Sequence, residues 1–75
     1  MILVDAGPLL ALADTADPDH ETISRLLREL REDLAIPVLV ISKVAFLLTR
    51  RLGVHAEVGF LADIVDQHFE VVEVE

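Results

Sequence analysis

One carboxylate stands where ligand chemistry is expected. Asp5 follows the apolar run Ile2-Leu3-Val4, which is typical of a strand buried on both faces, as in parallel sheets. This places Asp5 at the carboxyl end of the strand, where open α/β sheets bind their ligands. It is also the only charged side chain among the first 13 residues. We therefore predict that Asp5 belongs to a functional site. The alternative is a strand-end residue that only hydrogen-bonds the following turn.

Other residue types capable of chemistry form weaker patterns. His20 is predicted in the first turn of a helix, where a surface role is more common than metal binding. His55 and His68 have no metal-ligand spacing with each other. The acidic residues between positions 14 and 19 lack the glycine and the bidentate glutamate of a calcium loop, and the three glycines are too far apart for a phosphate loop.

The first half of the chain is predicted to hold two strands and two helices. The strand Ile2–Asp5 is followed by a turn at Gly7, a first-turn proline, Pro8, and a short helix over residues 9–13. Asp17-Pro18 predicts the start of a second helix, and strand two is expected at Leu34–Pro37. The apolar stripe of the second helix is predicted to comprise Ile23, Leu26, Leu27 and Leu30.

The second half repeats this order without repeating the sequence. A third helix is predicted to begin between Val40 and Ser42 and to end at Gly53. A fourth is expected over residues 54–67, followed by a strand over residues 69–75. The predicted inward residues are Ile41, Val44, Leu48 and Leu52 in the third helix, and Phe60, Leu61, Ile64 and Val65 in the fourth.

These elements predict an α/β fold of order β-α-α-β-α-α-β. Right-handed crossovers through the helix pairs give a three-stranded parallel sheet. The first strand is the most apolar and suits the middle of a sheet, yet nearest-neighbour order gives it one partner only. We therefore expect an open edge along residues 2–5, where another chain can pair.

The composition points to one small associating domain. A chain of 75 residues buries only about 60% of its unfolded surface, yet 53% of its residues are hydrophobic. This excess predicts a surface that a second chain covers. The lack of cysteine suits a reducing compartment. No apolar run approaches the ~20 residues of a membrane span, and no basic segment precedes the first one, so we expect a cytoplasmic protein without a signal peptide.

The charge distribution limits the nucleic-acid chemistry. A formal net charge of −8 argues against broad, non-specific nucleic-acid binding. All Lys and Arg residues lie between Arg25 and Arg51, however, and both flanks are acidic. The net charge therefore does not exclude a local basic patch in the central segment.

The order of these segments resembles the first half of a PIN domain, in particular the ribonuclease toxins of the VapC type. Three stretches carry the resemblance: Ile2-Leu3-Val4-Asp5 with Gly7-Pro8-Leu9-Leu10-Ala11-Leu12; Asp17-Pro18-Asp19-His20-Glu21; and Ile36-Pro37 through Phe46-Leu47-Leu48-Thr49-Arg50-Arg51-Leu52-Gly53. It covers essentially all 75 residues, which we expect to be the N-terminal portion of a single PIN-like, Rossmann-like domain.

The resemblance implies a Mg²⁺-dependent endoribonuclease that cleaves RNA in a pocket of carboxylates and is neutralised by a cognate antitoxin. It makes Asp5 the first catalytic and metal-binding carboxylate, since Mg²⁺ takes hard oxygen ligands. The family's second acid, a glutamate early in the third helix, aligns with Lys43. The remaining acids belong to a C-terminal half that lies beyond these residues. The substitution implies a disabled metal site, against the alternative that Lys43 is an ordinary solvated helix residue.

Two hypotheses follow from the sequence. The first is a toxin of a type II toxin–antitoxin system, a Mg²⁺-dependent PIN endoribonuclease by resemblance, truncated and inactive because of Lys43. The second is a non-catalytic PIN-like module for dimerisation or for binding an antitoxin or another toxin chain. Asp5 supports the first hypothesis, and Lys43 together with the short chain supports the second. Both predict a homo-oligomer or a partner-bound chain.

Overall fold

The computed structural model describes residues 1–73 and confirms the predicted α/β class. A 3₁₀ turn, Arg31–Asp33, connects the second helix to the second strand. The main elements are β1 Ile2–Leu3, α1 Ala6–Ala13, α2 His20–Glu29, β2 Leu34–Pro37, α3 Val38–Leu52, α4 Val54–Asp66 and β3 Glu70–Val72. Over these residues the strands form one parallel sheet of order β1-β2-β3.

The middle strand and the first strand have opposite environments. Residues 34–36 of β2 are at most 3% exposed, because β2 has a strand on each side and helices cover it. Ile2 and Leu3 of β1 are 51% and 52% exposed, so burial of this strand on both faces was wrongly predicted. Only Val4 is buried there, and its N–H donates to the Ala35 carbonyl at 3.0 Å. The expected open edge along β1 is present.

Helix α1 lies at the centre of the helix packing and contacts α2, α3 and α4. Its Leu9 is completely buried. A single apolar cluster joins the four helices to the sheet. The cluster contains Val4, Ala6, Leu9, Leu12, Leu27, Leu34, Ile36, Val44, Leu48, Phe60, Ile64 and Phe69.

Helix starts differ from the predicted positions for local reasons. Helix α1 begins three residues early, so that Gly7 and Pro8 lie in its first turn. Helix α2 begins at His20 rather than after Asp17, because the Asp17 carboxylate accepts the Asp19 N–H at 2.8 Å and forms a separate turn. Helix α3 begins at Val38, directly after β2 and two to four residues earlier than expected.

Several residues predicted to face inward are exposed. Phe60 and Ile64 of α4 are buried as predicted, but Leu61 and Val65 of the same helix are 37% and 71% exposed. One face of α4 meets α1 and α3, and these two residues lie outside it. Leu26 and Leu52, 46% and 52% exposed, are further exceptions.

The last predicted strand is shorter than expected. It spans Glu70–Val72, and Phe69 is buried just before it. Val74 and Glu75, the end of the predicted strand, lie outside the described residues. Among the helices of residues 1–73, none has both the length and the apolar character needed to cross a membrane.

Candidate functional site

Asp5 joins the end of β1 to the start of α1. Its backbone is extended, with φ −88° and ψ 175°, and it occupies the N-cap position of α1. One carboxylate oxygen accepts the Ala6 N–H at 2.7 Å. The side chain is exposed, and a carboxylate here is favoured by the helix dipole. The alternative role predicted for Asp5, a hydrogen bond to the following turn, is thus present. This hydrogen bond uses one carboxylate oxygen and leaves the second for a ligand.

Lys43 lies in the second turn of α3 and is exposed. Helix α3 begins at the carboxyl end of β2, which is parallel to β1, and α1 packs against α3. The topology therefore brings the N-terminal ends of α1 and α3 to the same sheet edge. Direct facing of the Asp5 and Lys43 side chains stays a prediction.

The donor set around Asp5 does not fit a magnesium site. Across residues 1–73 the structure brings together no group of three or more His, Cys, Asp or Glu side chains suited to a metal ion. Mg²⁺ is held by one or two carboxylates with waters and substrate. Asp5 supplies one carboxylate, already engaged with a backbone N–H, and Lys43 lies in α3, whose N-terminal end reaches the same edge.

The histidines hold no common site. His20 is half-buried, and its Nδ1 lies 2.8 Å from the Ala11 carbonyl oxygen. Since a carbonyl only accepts, Nδ1 carries the proton and ties α2 to α1. His55 and His68 are both exposed and stand at opposite ends of α4. The His20 contact spans nine residues, and the local sequence carries no signal for it.

Three of the six cationic residues line two surface hollows. Arg25 and Arg28 line a surface groove of about 400 Å³ along α2, together with Glu21. Arg51 lies in a smaller hollow of about 100 Å³ that Asp14 and Asp17 also line. These two hollows do not include Asp5 or Lys43, and in each of them the cations lie beside carboxylates.

Similar proteins occur both among curated sequences and among solved structures. The chain is 29% identical over 70 residues to ribonuclease VapC26 of Mycobacterium tuberculosis (strain ATCC 25618 / H37Rv). The matched residues cover 93% of this chain and 52% of VapC26. It also matches the crystal structure of Mycobacterium tuberculosis VapC20, described as a sarcin-ricin loop cleaving toxin. That match has a TM-score of 0.82 and 27% identity, over 100% of this chain and 58% of VapC20. No protein-family model matches the chain.

The similarity extends over nearly all of this chain but not over all of its relatives. The chain spans about half the length of the curated relative that it matches. Its sheet, its helix pairs and the position of Asp5 at a strand end agree with the resemblance stated from the sequence. In sequence and in fold, the chain therefore resembles the PIN-domain toxins of the VapC type.

Proposed function

We propose that the chain derives from Mg²⁺-dependent PIN ribonucleases of type II toxin–antitoxin systems and does not itself cleave RNA. One relative is named a ribonuclease and the other a toxin that cleaves the sarcin-ricin loop. RNA as substrate and Mg²⁺ as cofactor belong in this proposal to the ribonucleases from which the chain derives, whereas a cognate antitoxin as partner and a cytoplasmic location are proposed for the chain itself. The observation that carries the lack of activity is Lys43, an exposed cation in the second turn of α3.

The electrostatic effect expected of Lys43 supports the proposed lack of activity. A glutamate at this position attracts a divalent cation, and a lysine repels it, so the local charge differs by two units. For an assumed distance of about 5 Å and an effective dielectric constant of about 20, a two-unit change beside a divalent ion amounts to on the order of 10 kcal/mol against metal binding, and solvent screening at this exposed position reduces it. Asp5 alone, with one oxygen on the Ala6 N–H, does not offset it.

Binding of Mg²⁺ to Lys43→Glu tests this proposal. We expect the unmodified chain to bind Mg²⁺ only weakly in calorimetric or NMR titration and to cleave no RNA. Lys43→Glu should bind at least ~10-fold more tightly, a difference of about 1.4 kcal/mol. The gain should be lost in Lys43→Glu combined with Asp5→Asn. Asp5→Asn suits this purpose because asparagine keeps the N-cap hydrogen bond and removes the charge.

A matched control uses the other end of the same helix. Arg51 is also exposed, so Arg51→Glu makes the same two-unit charge change in the last turn of α3 and should leave Mg²⁺ binding within about twofold. RNA cleavage by the unmodified chain that requires Mg²⁺ and disappears in Asp5→Asn contradicts the proposed inactivity. Equal effects of the two glutamate variants contradict the role of Lys43.

A second function is favoured by the β1 edge. Ile2 and Leu3 are about half exposed, and an apolar strand edge is a template for pairing with another chain. We propose that a non-catalytic chain of this fold acts as an association module, with a second copy, an antitoxin or a longer relative as partner. Leu3→Lys, a substitution typical of protected edges, should reduce association if β1 is the contact.

A further inference from the structure

A surface groove runs along helix α2 and includes neither Asp5 nor Lys43. It has a volume of about 400 Å³ and is lined by His20, Glu21, Ser24, Arg25 and Arg28. Residues four apart lie on the same face of a helix, so residues 20, 24 and 28 form one row, and residues 21 and 25 form the row beside it. The volume lies within the range of sites that bind small molecules.

Ser24 gives this groove a property that an ordinary solvated helix face lacks. Its side chain is only 6% exposed, and its hydroxyl oxygen has no hydrogen-bond partner within residues 1–73. Buried hydroxyl groups are normally paired, because an unpaired one loses its hydrogen bonds to water on folding. The hydroxyl of Ser24 is therefore available to donate to a ligand that occupies the groove.

The C-terminal end of the groove is a donor end. Arg25 and Arg28 are exposed, and the fork geometry of their guanidinium groups suits carboxylate and phosphate oxygens. A carboxylate has two oxygens, whereas a phosphate monoester has three terminal oxygens, one for each of Arg25, Arg28 and Ser24. The phosphate also carries up to two negative charges at neutral pH, so two arginines beside one glutamate, Glu21, attract it more strongly. The donor end therefore suits a phosphate better than a carboxylate.

The N-terminal end of the groove is an acceptor end. Nδ1 of His20 carries a proton that it donates to the Ala11 carbonyl oxygen at 2.8 Å, so Nε2 of the neutral ring is an acceptor. The exposed carboxylate of Glu21 accepts as well. Residues 21 and 28 are separated by a rise of about 10 Å along the helix. A ligand that reaches both ends carries a phosphate and, several atoms away, hydroxyl groups that donate.

We propose that the α2 groove binds a small phosphate monoester that also carries hydroxyl groups, such as a sugar phosphate. Its phosphate oxygens accept hydrogen bonds from Arg25, Arg28 and Ser24. Its hydroxyl groups donate to Glu21 and His20. This site is independent of the metal site and of association through β1, because none of its residues belongs to either.

Titration of the full 75-residue chain with ribose 5-phosphate, followed by calorimetry or by NMR of the α2 amides, tests the site. We expect a dissociation constant of about 1 mM or below. Inorganic phosphate lacks the sugar hydroxyls, ribose lacks the phosphate and succinate replaces it with carboxylates, so each should bind at least ~10-fold more weakly.

Two outcomes of this titration overturn the site. One is the absence of saturation at about 10 mM ribose 5-phosphate, ten times the expected constant. The other is equal affinity for ribose 5-phosphate and succinate. Tighter binding of a 5′-phosphorylated RNA oligonucleotide than of ribose 5-phosphate overturns a free sugar phosphate as the ligand, because the same phosphate chemistry then comes from an RNA end.

Ser24→Ala tests the unpaired hydroxyl separately from folding. Alanine favours the helix, and the substitution removes a buried group that has no partner within residues 1–73. The unfolding midpoint of the free chain should therefore stay the same or rise, whereas the affinity for ribose 5-phosphate should fall about 3- to 10-fold. A lowered midpoint with unchanged affinity shows a purely structural hydroxyl and contradicts its role in the site.

Charge substitutions test the two ends of the groove against a matched control. Arg25→Gln and Arg28→Gln should each weaken binding at least ~10-fold, whereas Arg50→Gln, the same change on α3, should stay within about twofold. Equal effects of the three variants indicate general charge attraction and overturn the site. Glu21→Leu removes a negative charge and an acceptor, so it should tighten binding of inorganic phosphate and abolish the preference for ribose 5-phosphate. A preference that survives Glu21→Leu contradicts the acceptor end.

Discussion

Helices α2 and α4 both pack against α1, yet their outer faces differ completely. The outer face of α2 carries exposed charges of both signs, Glu21, Arg25, Arg28 and Glu29. The outer face of α4 exposes Val54, Val58, Leu61 and Val65. Each helix buries its other face in the same core, through Leu27 in α2 and Phe60 in α4.

This difference shows which of the two helices has its apolar surface covered within the chain. An amphipathic helix is stable once its apolar stripe is covered, and its charged face is solvated. Helix α2 comes close to this condition within one chain, since Leu26 is the one exposed residue of its apolar stripe, at 46%. Helix α4 does not, because an apolar stripe remains in water after its inner face is buried. We therefore attribute the high hydrophobic content, 53%, in part to the exposed apolar side chains of α4.

Substitutions on the inner faces of α2 and α4 should have similar effects on the free energy of unfolding. These effects should be the largest ones. Phe60 and Leu27 are 2% and 6% exposed. Removing a buried side chain loses transfer free energy and leaves a cavity, so Phe60→Ala should cost about 3–5 kcal/mol and Leu27→Ala about 2–5. A domain of this size is stable by only about 4–11 kcal/mol. Urea titration followed by circular dichroism measures both, and a loss below about 1 kcal/mol in either variant contradicts the shared core.

Substitutions on the outer faces should have small effects in both helices. Val65 of α4 and Leu26 of α2 are 71% and 46% exposed, so Val65→Lys and Leu26→Lys should each leave the free energy of unfolding within about 0.5 kcal/mol of the unmodified chain. Urea titration on dilute protein measures both variants. A loss above about 1 kcal/mol in either variant contradicts the assigned exposure.

Element types followed from the sequence, because they depend on local periodicity and end residues. The strand Leu34–Pro37 was predicted at its observed bounds, and Gly53 was predicted to end α3, as it does with φ +92°. The starts of α1, α2 and α3 were displaced by up to three residues, since capping and turn hydrogen bonds such as the one from Asp19 N–H to Asp17 decide them.

Burial was harder to predict, because it depends on which elements become neighbours. The first strand was expected to be buried on both faces, but it has one neighbour and exposes Ile2 and Leu3. Leu61 and Val65 were placed inward because apolar residues occur on every side of α4, so periodicity alone could not select its inner face. For the site, the strand-end position of Asp5 was predictable, whereas its hydrogen bond to Ala6 and the contact of His20 with Ala11 depend on the folded backbone.

The stability of the junction before α4 should depend on the backbone conformation of one glycine, more than the stability of α2 depends on any of its positions. Gly53 ends α3 and precedes α4 with φ +92° and ψ 177°, a region that residues with a Cβ rarely adopt. Because a Cβ there meets no atom within 4 Å, the cost of Gly53→Ala is conformational, about 1–3 kcal/mol. Gly59→Ala within α4 should instead stabilise the dilute monomer by about 0.5–1 kcal/mol. Denaturant titration distinguishes the two, and equal signs contradict this explanation.

The other end of α4 carries a smaller strain that a substitution should relieve. His68 has a left-handed backbone, φ +58°, directly after the helix. Its N–H donates to the Val65 carbonyl at 3.1 Å, and the Phe69 N–H donates to the Ile64 carbonyl at 3.2 Å. These two bonds form a Schellman motif, in which glycine is the preferred residue at the position of His68.

His68→Gly should therefore stabilise the chain. Removing the left-handed strain gains about 1–2 kcal/mol, and the greater freedom of glycine in the unfolded chain offsets about half of it. We expect a net gain of about 0.5–1 kcal/mol, equivalent to a rise of about 3–6 °C in the unfolding midpoint. The control is Gln67→Gly, at φ −88°, where glycine relieves no strain and should lower the midpoint. Calorimetry on dilute protein measures both, and a lowered midpoint in His68→Gly contradicts a strained helix end.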